Sequence, residues 1–293
     1  MLYEIGQANR LGTRASNQDR FAAVETDDAV LLVLADGMGG HRGGEMAAQI
    51  LVDVASDALL NEPLPVRDVE RFLTGIITRT HGAIHDYARE SGLDAPPGTT
   101  GVLCLVQDGV AQWAHVGDSR LYLFRDQLPL YRTRDHSYVE RLYRRGEIRR
   151  SDTSFHPMRN QITQCIGRLP ELPDVEVGRP TPLSPGDVLL LCSDGLWGAL
   201  EDMQIGALMN APDIDAAVNQ LAEQAETNSY PHSDNISVLA LRFVSRNHGN
   251  AALSRPADTR KSVATRRPRQ ERLEDAIEQI EEVLRKYENE MNR

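Results

Sequence analysis

The 293-residue sequence predicts an α+β fold of layered sheet and helix, and three observations carry that reading. Short runs rich in Val, Leu and Ile recur along the chain. Helical periodicity fills the stretches between groups of those runs. The tripeptide "QDG", set between two of the runs, is a β-hairpin turn signal. Strands that arrive in groups and pair as hairpins build antiparallel sheet, whereas regular βαβ alternation would build a parallel one.

Taken in order, strands are expected at "AVLLVLA" (29–35), "TGVLCLVQ" (100–107), "VAQWAHVG" (110–117), "RLYLFR" (120–125), "DVLLLCS" (187–193) and "ISVLALRFV" (236–244). An earlier strand is expected to open at Asp19. "QDG" joins the second and third of these runs, and "DSR" is read as the turn that pairs the third with the fourth. Helices are expected at 43–60, where Met46, Ile50, Leu51 and Val54 recur at helical spacing, and at 67–91, 136–145 and 213–228. The composition changes after Val244. Between Arg246 and Arg272 eight Arg or Lys stand against two acids, with no apolar periodicity, which predicts a basic flexible linker over 246–272. Beyond it Leu273, Ile277, Ile280, Leu284, Tyr287 and Met291 form an a/d seam, so residues 273–293 are expected to make a heptad helix that dimerises, docks a partner or lies on the domain. The division is therefore a domain over 1–245, a linker and a helix.

Composition narrows the function. With 41% hydrophobic and 26% charged residues the chain can bury a core. No run approaches the ~20 apolar residues of a membrane span, and the opening "MLYEIGQANRLG" lacks the pattern of a signal peptide, so a cytoplasmic protein without membrane insertion is expected. Cys104, Cys165 and Cys192 are read as free thiols. A net charge of −11 argues against a nucleic-acid-binding body.

The segment "LLVLADGMGGHRGGE" (31–45) runs from aliphatics into one aspartate and then a cluster of glycines. It fits neither familiar phosphate loop. A dinucleotide turn would need glycine where Arg42 stands, and a nucleotide P-loop would need lysine and a hydroxyl where Glu45 follows Gly44. Asp36 instead belongs to a series. Asp118 in "HVGDS" and Asp194 in "LLLCSDG" also end apolar runs beside glycine, Asp234 precedes the last strand, and Asp19 sits in "RASNQD". One strand-edge aspartate is more often a turn residue than a catalytic one. Five at the ends of buried strands, if they converge, cannot all remain ionised without a cation. Carboxylate and carbonyl oxygens without a His or Cys cluster select hard ions such as Mg²⁺ or Mn²⁺. Two such ions would activate water for in-line displacement at phosphorus, and Arg14 could capture the phosphate.

The set "RASNQD", "LADGMGGHRGGE", "PGTTGVLCLV", "AHVGDSRLYLFR", "TRDHS", "HPMRNQITQCIG", "LSPGDVLLLCSDGLWG" and "SDNISVLALR" resembles, in order and spacing, the metal-dependent protein serine/threonine phosphatases of type 2C, bacterial members above all, over residues 3–244. The resemblance implies an αββα sandwich of two central antiparallel sheets flanked by helices, with a two-ion Mn²⁺/Mg²⁺ centre at one end. It implies that Asp36 bridges both ions, that the Gly37 carbonyl binds one, and that Asp194 and Asp234 bind the other. Asp118 resembles the ligand of a third ion shared with Asp194, Arg14 the phosphate-binding arginine, and Asp19 a residue acting through bound water. Residues 133–165, with His136 and His156, resemble the family's flap. The position that many members fill with Glu holds Gln18, and Met38 stands where animal members carry a general-acid histidine. His41 is the expected general acid, against the reading of a loop histidine bonded to backbone. The resemblance implies a phosphoprotein substrate and a Ser/Thr kinase counterpart, in some members beside a secretion system.

Overall fold

The computed structural model describes residues 1–39 and 43–245. The expected linker (246–272), the heptad helix (273–293) and His41 lie outside the described residues. The chain runs β1 (Leu2–Arg10), β2 (Asp19–Glu25), β3 (Ala29–Met38), α1 (Gly43–Asn61), α2 (Val69–Glu90), β4 (Gly98–Thr99), β5 (Gly101–Gln107), β6 (Val110–Val116), β7 (Arg120–Arg125), β8 (Leu128–Arg132) and α3 (Tyr138–Arg144). After a 3₁₀ turn (Arg150–Phe155) follow β9 (Glu176–Val177), β10 (Thr181–Pro182), β11 (Val188–Cys192), α4 (Asp194–Trp197), α5 (Asp202–Leu208), α6 (Ile214–Ser229) and β12 (Ile236–Ser245). Each expected strand and helix in this region is present to within a few residues.

The strands form two antiparallel sheets, one ordered β1-β12-β11-β7-β8 and the other β10-β6-β5-β3-β2, with β4 added on β3 and β9 on β6. Strand β3 is apolar at every position from Ala29 to Ala35 because both of its faces are covered. Val30, Leu32 and Leu34 meet Leu121, Leu189, Leu191, Leu239 and Leu241 of the facing sheet. Leu31, Val33 and Ala35, pointing the other way, pack under α1 and α2 with Leu51, Ala55, Leu73 and Ile76. On the outer face of the second sheet, Leu190, Val238 and Ala240 pack on Val218, Leu221 and Ala222 of α6. The layers are therefore helix, sheet, sheet, helix, the αββα sandwich that the motifs imply. At about 1.5–3 kcal/mol per fully buried aliphatic side chain, β3 is anchored strongly enough to carry a carboxylate at its end, which costs several kcal/mol to desolvate.

The "QDG" turn behaves as expected: Asp108 and Gly109 both have positive φ, 51° and 70°, as a two-residue I′ hairpin requires, and β5 pairs with β6 across it. The "DSR" reading is corrected. Strand β7 pairs with β8 and β11, in the opposite sheet from β6, so Gly117–Ser119 carries the chain between sheets instead of turning a hairpin. Gly117, at φ 102°, makes this crossing possible, since most side chains disfavour that angle and a Cβ there would lie 2.6 Å from the Thr100 side chain. The crossing leaves Asp118 at the lip between the two sheets, 2% exposed.

Candidate metal centre

Five aspartates meet at one end of the sandwich, each delivered by a different piece of chain. Asp19 and Asp36 are directly opposite each other in the β2–β3 pairing, a position where like charges repel. Asp118 comes from the sheet crossing, Asp194 opens α4 at the end of β11, and Asp234 precedes β12.

The backbone around Asp36 is fixed from several sides. Thr100 N–H donates to the Asp36 carbonyl at 2.9 Å, the Thr99 hydroxyl donates to the same carbonyl at 3.0 Å, and Asp36 N–H donates to Thr100 Oγ1 at 2.9 Å. Gly37 is required by close approach. A Cβ there would stand 2.1 Å from the Gly44 carbonyl oxygen and 2.8 Å from that of Gln18, so strand β3 and the first turn of α1 touch backbone to backbone. Gly195 is held the same way, its would-be Cβ 2.1 Å from the Asn235 carbonyl oxygen. The Gln18 side-chain amide donates to the Gly39 carbonyl at 3.3 Å, bracing this same corner.

Asp19 is 1% exposed; one carboxylate oxygen accepts from the Ser193 hydroxyl at 2.7 Å, while its Oδ1 has no hydrogen-bond partner. The Oδ1 atom of Asp118 is likewise buried and without a partner. Such orphaned oxygens cost free energy unless something else binds them.

Electrostatics points the same way. In the metal-free protein, burial and then the neighbouring Asp19, Asp194, Asp118 and Asp234 push the Asp36 carboxyl well above the ordinary carboxylate range. Asp194 is raised well above it by burial, then by Asp118, Asp234 and Asp19. Burial lifts Asp19 to about 6 and, together with Asp135, lifts Asp118 to about 7. Among the described residues, no Lys or Arg nitrogen lies within 4.0 Å of a carboxylate oxygen of Asp19, Asp36, Asp118 or Asp194; Arg14 reaches Asp234, with Nη2 2.6 Å from Oδ2. This set of hard, uncompensated oxygens fits divalent cations.

Arg14 lies on a loop seated against the Asp234 corner. Thr13 donates both its N–H and its hydroxyl to the Ser233 carbonyl, each at 3.0 Å, and Asn235 Nδ2 donates to the Leu11 carbonyl at 2.9 Å. The guanidinium is 60% exposed, open to an incoming anion. The segment 133–165 is closed at its base, where Tyr138 N–H donates to Gln161 O at 2.8 Å and Thr163 N–H to His136 O at 2.7 Å. Its root is clamped by a bidentate pair, Arg120 Nε and Nη2 to Asp135 at 2.8 and 2.7 Å. His156 caps a local turn by accepting from Met158 N–H, and Phe155 beside it is 88% exposed.

Sequence reasoning brought together the five aspartates, Gly37 and Arg14. It passed over the residues that hold them: Thr99, Thr100, Ser193 and Asn235. The signal was present in "GTTG", "LCSDG" and "SDNIS", each of which sets a hydroxyl or amide beside a strand end.

Comparison with known proteins bears on the class of chemistry. Residues 7–238 match the family model described as Protein phosphatase 2C. The serine/threonine phosphatase stp of Listeria monocytogenes is 34% identical over 236 residues, covering 77% of this chain and 90% of that protein. Among solved structures, the serine/threonine phosphatase Stp1 of Staphylococcus aureus superposes with a TM-score of 0.75 at 31% identity, covering 84% of this chain and 96% of that one. The catalytic domain of the phosphatase PstP, in complex with two manganese ions, gives a TM-score of 0.71 at 27% identity, covering 83% of this chain and 99% of that one. The chain belongs to the protein phosphatase 2C family and is a bacterial-type, divalent-metal-dependent phosphoprotein phosphatase.

Proposed function

We propose that this enzyme hydrolyses phosphoserine and phosphothreonine in proteins at the aspartate end of the sandwich, with two Mn²⁺ or Mg²⁺ ions in the main site and a third held more weakly. One observation carries the assignment: the convergence of five aspartates, four of them with no basic partner on the carboxylate among the described residues, and two of them with buried, unbonded oxygens. When bound, the ions supply an activated water and neutralise charge that develops at phosphorus. Asp36 and the Gly37 carbonyl on β3, with Asp194 and Asp234 from the facing sheet, would hold the main pair, and Asp118 with Asp194 would hold the third. Asp19 orients water by its free oxygen while Ser193 holds the other. Arg14 exchanges Asp234 for the substrate phosphate, since a planar guanidinium can grip two phosphate oxygens at once. His41 is the proton donor to the leaving group in this reading.

The natural substrate is a phosphoprotein made by a Ser/Thr kinase, and a secretion-system setting is supported by the likeness to PppA of Pseudomonas aeruginosa, a regulatory component of the T6SS. The tail, residues 246–293, directs the enzyme by docking a partner or a second copy. A cytoplasmic location is supported by the free Cys104, Cys165 and Cys192; among the described residues no helix is long and apolar enough to cross a membrane.

The deciding experiment is phosphate release from phosphoserine, phosphothreonine and phosphotyrosine peptides, with Mn²⁺, Mg²⁺ or EDTA. Release from the first two, abolished reversibly by EDTA, is the expected result. Turnover that persists after metal removal, or that survives Asp36→Asn and Asp194→Asn, overturns the site.

A further inference from the structure

A second group of metal-ligating side chains stands apart from the aspartates, at the root of the flap. His115 on β6 and Glu176 on β9 are direct partners in the antiparallel pairing. His136 follows Asp135, whose carboxylate Arg120 clamps. Each of the three offers a ligand atom, and these atoms all lie within 4.8 Å of one another. His136 Nε2 is 3.8 Å from Glu176 Oε2, and the His115 and His136 rings are 4.8 Å apart.

His115 is 1% exposed, and its two nitrogens have different fates. Nε2 donates to the Arg134 carbonyl at 2.8 Å, which fixes the proton there and leaves the lone pair on Nδ1; that Nδ1 is buried without a partner. A histidine that gives one N–H to a backbone carbonyl and holds its other nitrogen bare is arranged as metal-ligating histidines are. His136 is held in place by its own backbone, its N–H on the Gly117 carbonyl at 2.9 Å and its carbonyl accepting from Thr163 at 2.7 Å. His136 and Glu176 border a cavity of about 390 Å³, lined by the acids Asp135, Glu140 and Asp174 and by the bases Arg141 and Arg144, which gives an ion a path in and leaves room for water as a further ligand.

We propose that His115, His136 and Glu176 form a separate cation site that takes Zn²⁺. Two imidazoles and one carboxylate suit a borderline ion, whereas the oxygen-only aspartate centre suits Mg²⁺ or Mn²⁺. The site would tie the flap root to the edge of the sheet. His136 Nδ1 accepts from Gly117 N–H at a long 3.3 Å; ligation through Nε2 moves the ring proton to Nδ1 and ends that contact. Occupancy is thereby felt at the residue before Asp118.

The test uses the full chain, stripped of metal and held in excess Mg²⁺, titrated with Zn²⁺ by calorimetry and with Co²⁺ by visible absorption. One Zn²⁺ is expected to bind in the wild type and in Asp36→Asn. Binding should be at least about tenfold weaker in Glu176→Gln and in His136→Gln, because losing a direct ligand costs no less than losing an outer partner. Both substitutions are at half-buried positions, and circular dichroism checks that each variant folds; Glu176→Gln alone decides the matter if His136→Gln does not. No Zn²⁺ uptake above Mg²⁺, or uptake lost in Asp36→Asn and unchanged in Glu176→Gln, overturns the proposal. Zn²⁺ binding is read directly, so its failure is distinct from any failure of phosphatase activity.

Discussion

Two sets of carboxylates in this protein, buried or half-buried, are treated in opposite ways. Asp135 and Asp187 are 9% and 1% exposed, and each is gripped by both arms of an arginine, Arg120 at 2.8 and 2.7 Å and Arg125 at 2.8 and 2.7 Å. Arg120 also lies over the Trp197 ring, 3.7 Å from its centre, and donates to the Tyr122 hydroxyl at 3.0 Å. Among the described residues, the carboxylates of Asp19, Asp36, Asp118 and Asp194 at the end of the sandwich have no such cation, and Asp234 meets only the exposed Arg14. The comparison teaches that the fold neutralises the acids it uses for structure and leaves bare the acids meant for a ligand. Buried charge is tolerated only with a partner, so the bare set identifies its missing partner by sign and by hardness.

Breaking each set should therefore have a different consequence. The largest effect is expected on activity: Asp36→Asn or Asp194→Asn should lower kcat/KM on p-nitrophenyl phosphate by at least about 10²-fold, while the metal-free variant unfolds at the same or a higher temperature because a repelling charge is gone. A clear loss of stability in both variants would erase the contrast. Asp135→Asn should do the reverse, costing about 3–5 kcal/mol in denaturant unfolding by stranding Arg120 in the interior. Next, Arg14→Ala should weaken kcat/KM on phosphopeptides by roughly 10- to 100-fold, the worth of hydrogen bonds to a charged group, with Arg14→Lys intermediate; steady-state kinetics on one peptide series measures it.

The pH dependence of stability sharpens the comparison further. Asp19 and Asp118 have folded-state pKa values raised to about 6 and about 7, above those of the unfolded chain, ~3.9. The folded, metal-free protein thus holds more protons than the unfolded one across that window. The stability these protons contribute is full below about pH 4 and is lost as pH rises through 6 to 7. Thermal melts in EDTA should fall over this range, and saturating Mg²⁺ or Mn²⁺ should flatten the fall. A melting temperature in EDTA that climbs from pH 5 to 7 would contradict the assignment of these groups. The smallest effect is expected from deleting residues 246–293, which should leave p-nitrophenyl phosphate turnover unchanged.

Most of the centre was legible because its residues follow runs that are apolar on both faces. "AVLLVLADG" and "LLLCSDG" read as strands ending in a carboxylate whatever their partners are. Strand β1 was not legible. "LYEIGQANR" buries only Gly6 and Ala8 fully and lies at a sheet edge, and it is a strand because nine of its residues register against β12, over two hundred positions away. The link at 117–119 was misread for a related reason, since a three-residue connection has the same composition whether its strands pair or separate into two sheets. Nor could spacing reveal His115, His136 and Glu176. Each looks like an ordinary strand or loop residue until the β6–β9 pairing and the clamp on Asp135 bring them together.

The backbone contact of Gly37 with Gly44 sets where this enzyme can diversify. With carbonyl and α-carbon already in touch, no larger residue can enter that corner without prying the first helix from its strand, so the aspartate end is closed to gradual change. The 133–165 segment is different at its tip, where Phe155 is 88% exposed and can be exchanged without touching that corner.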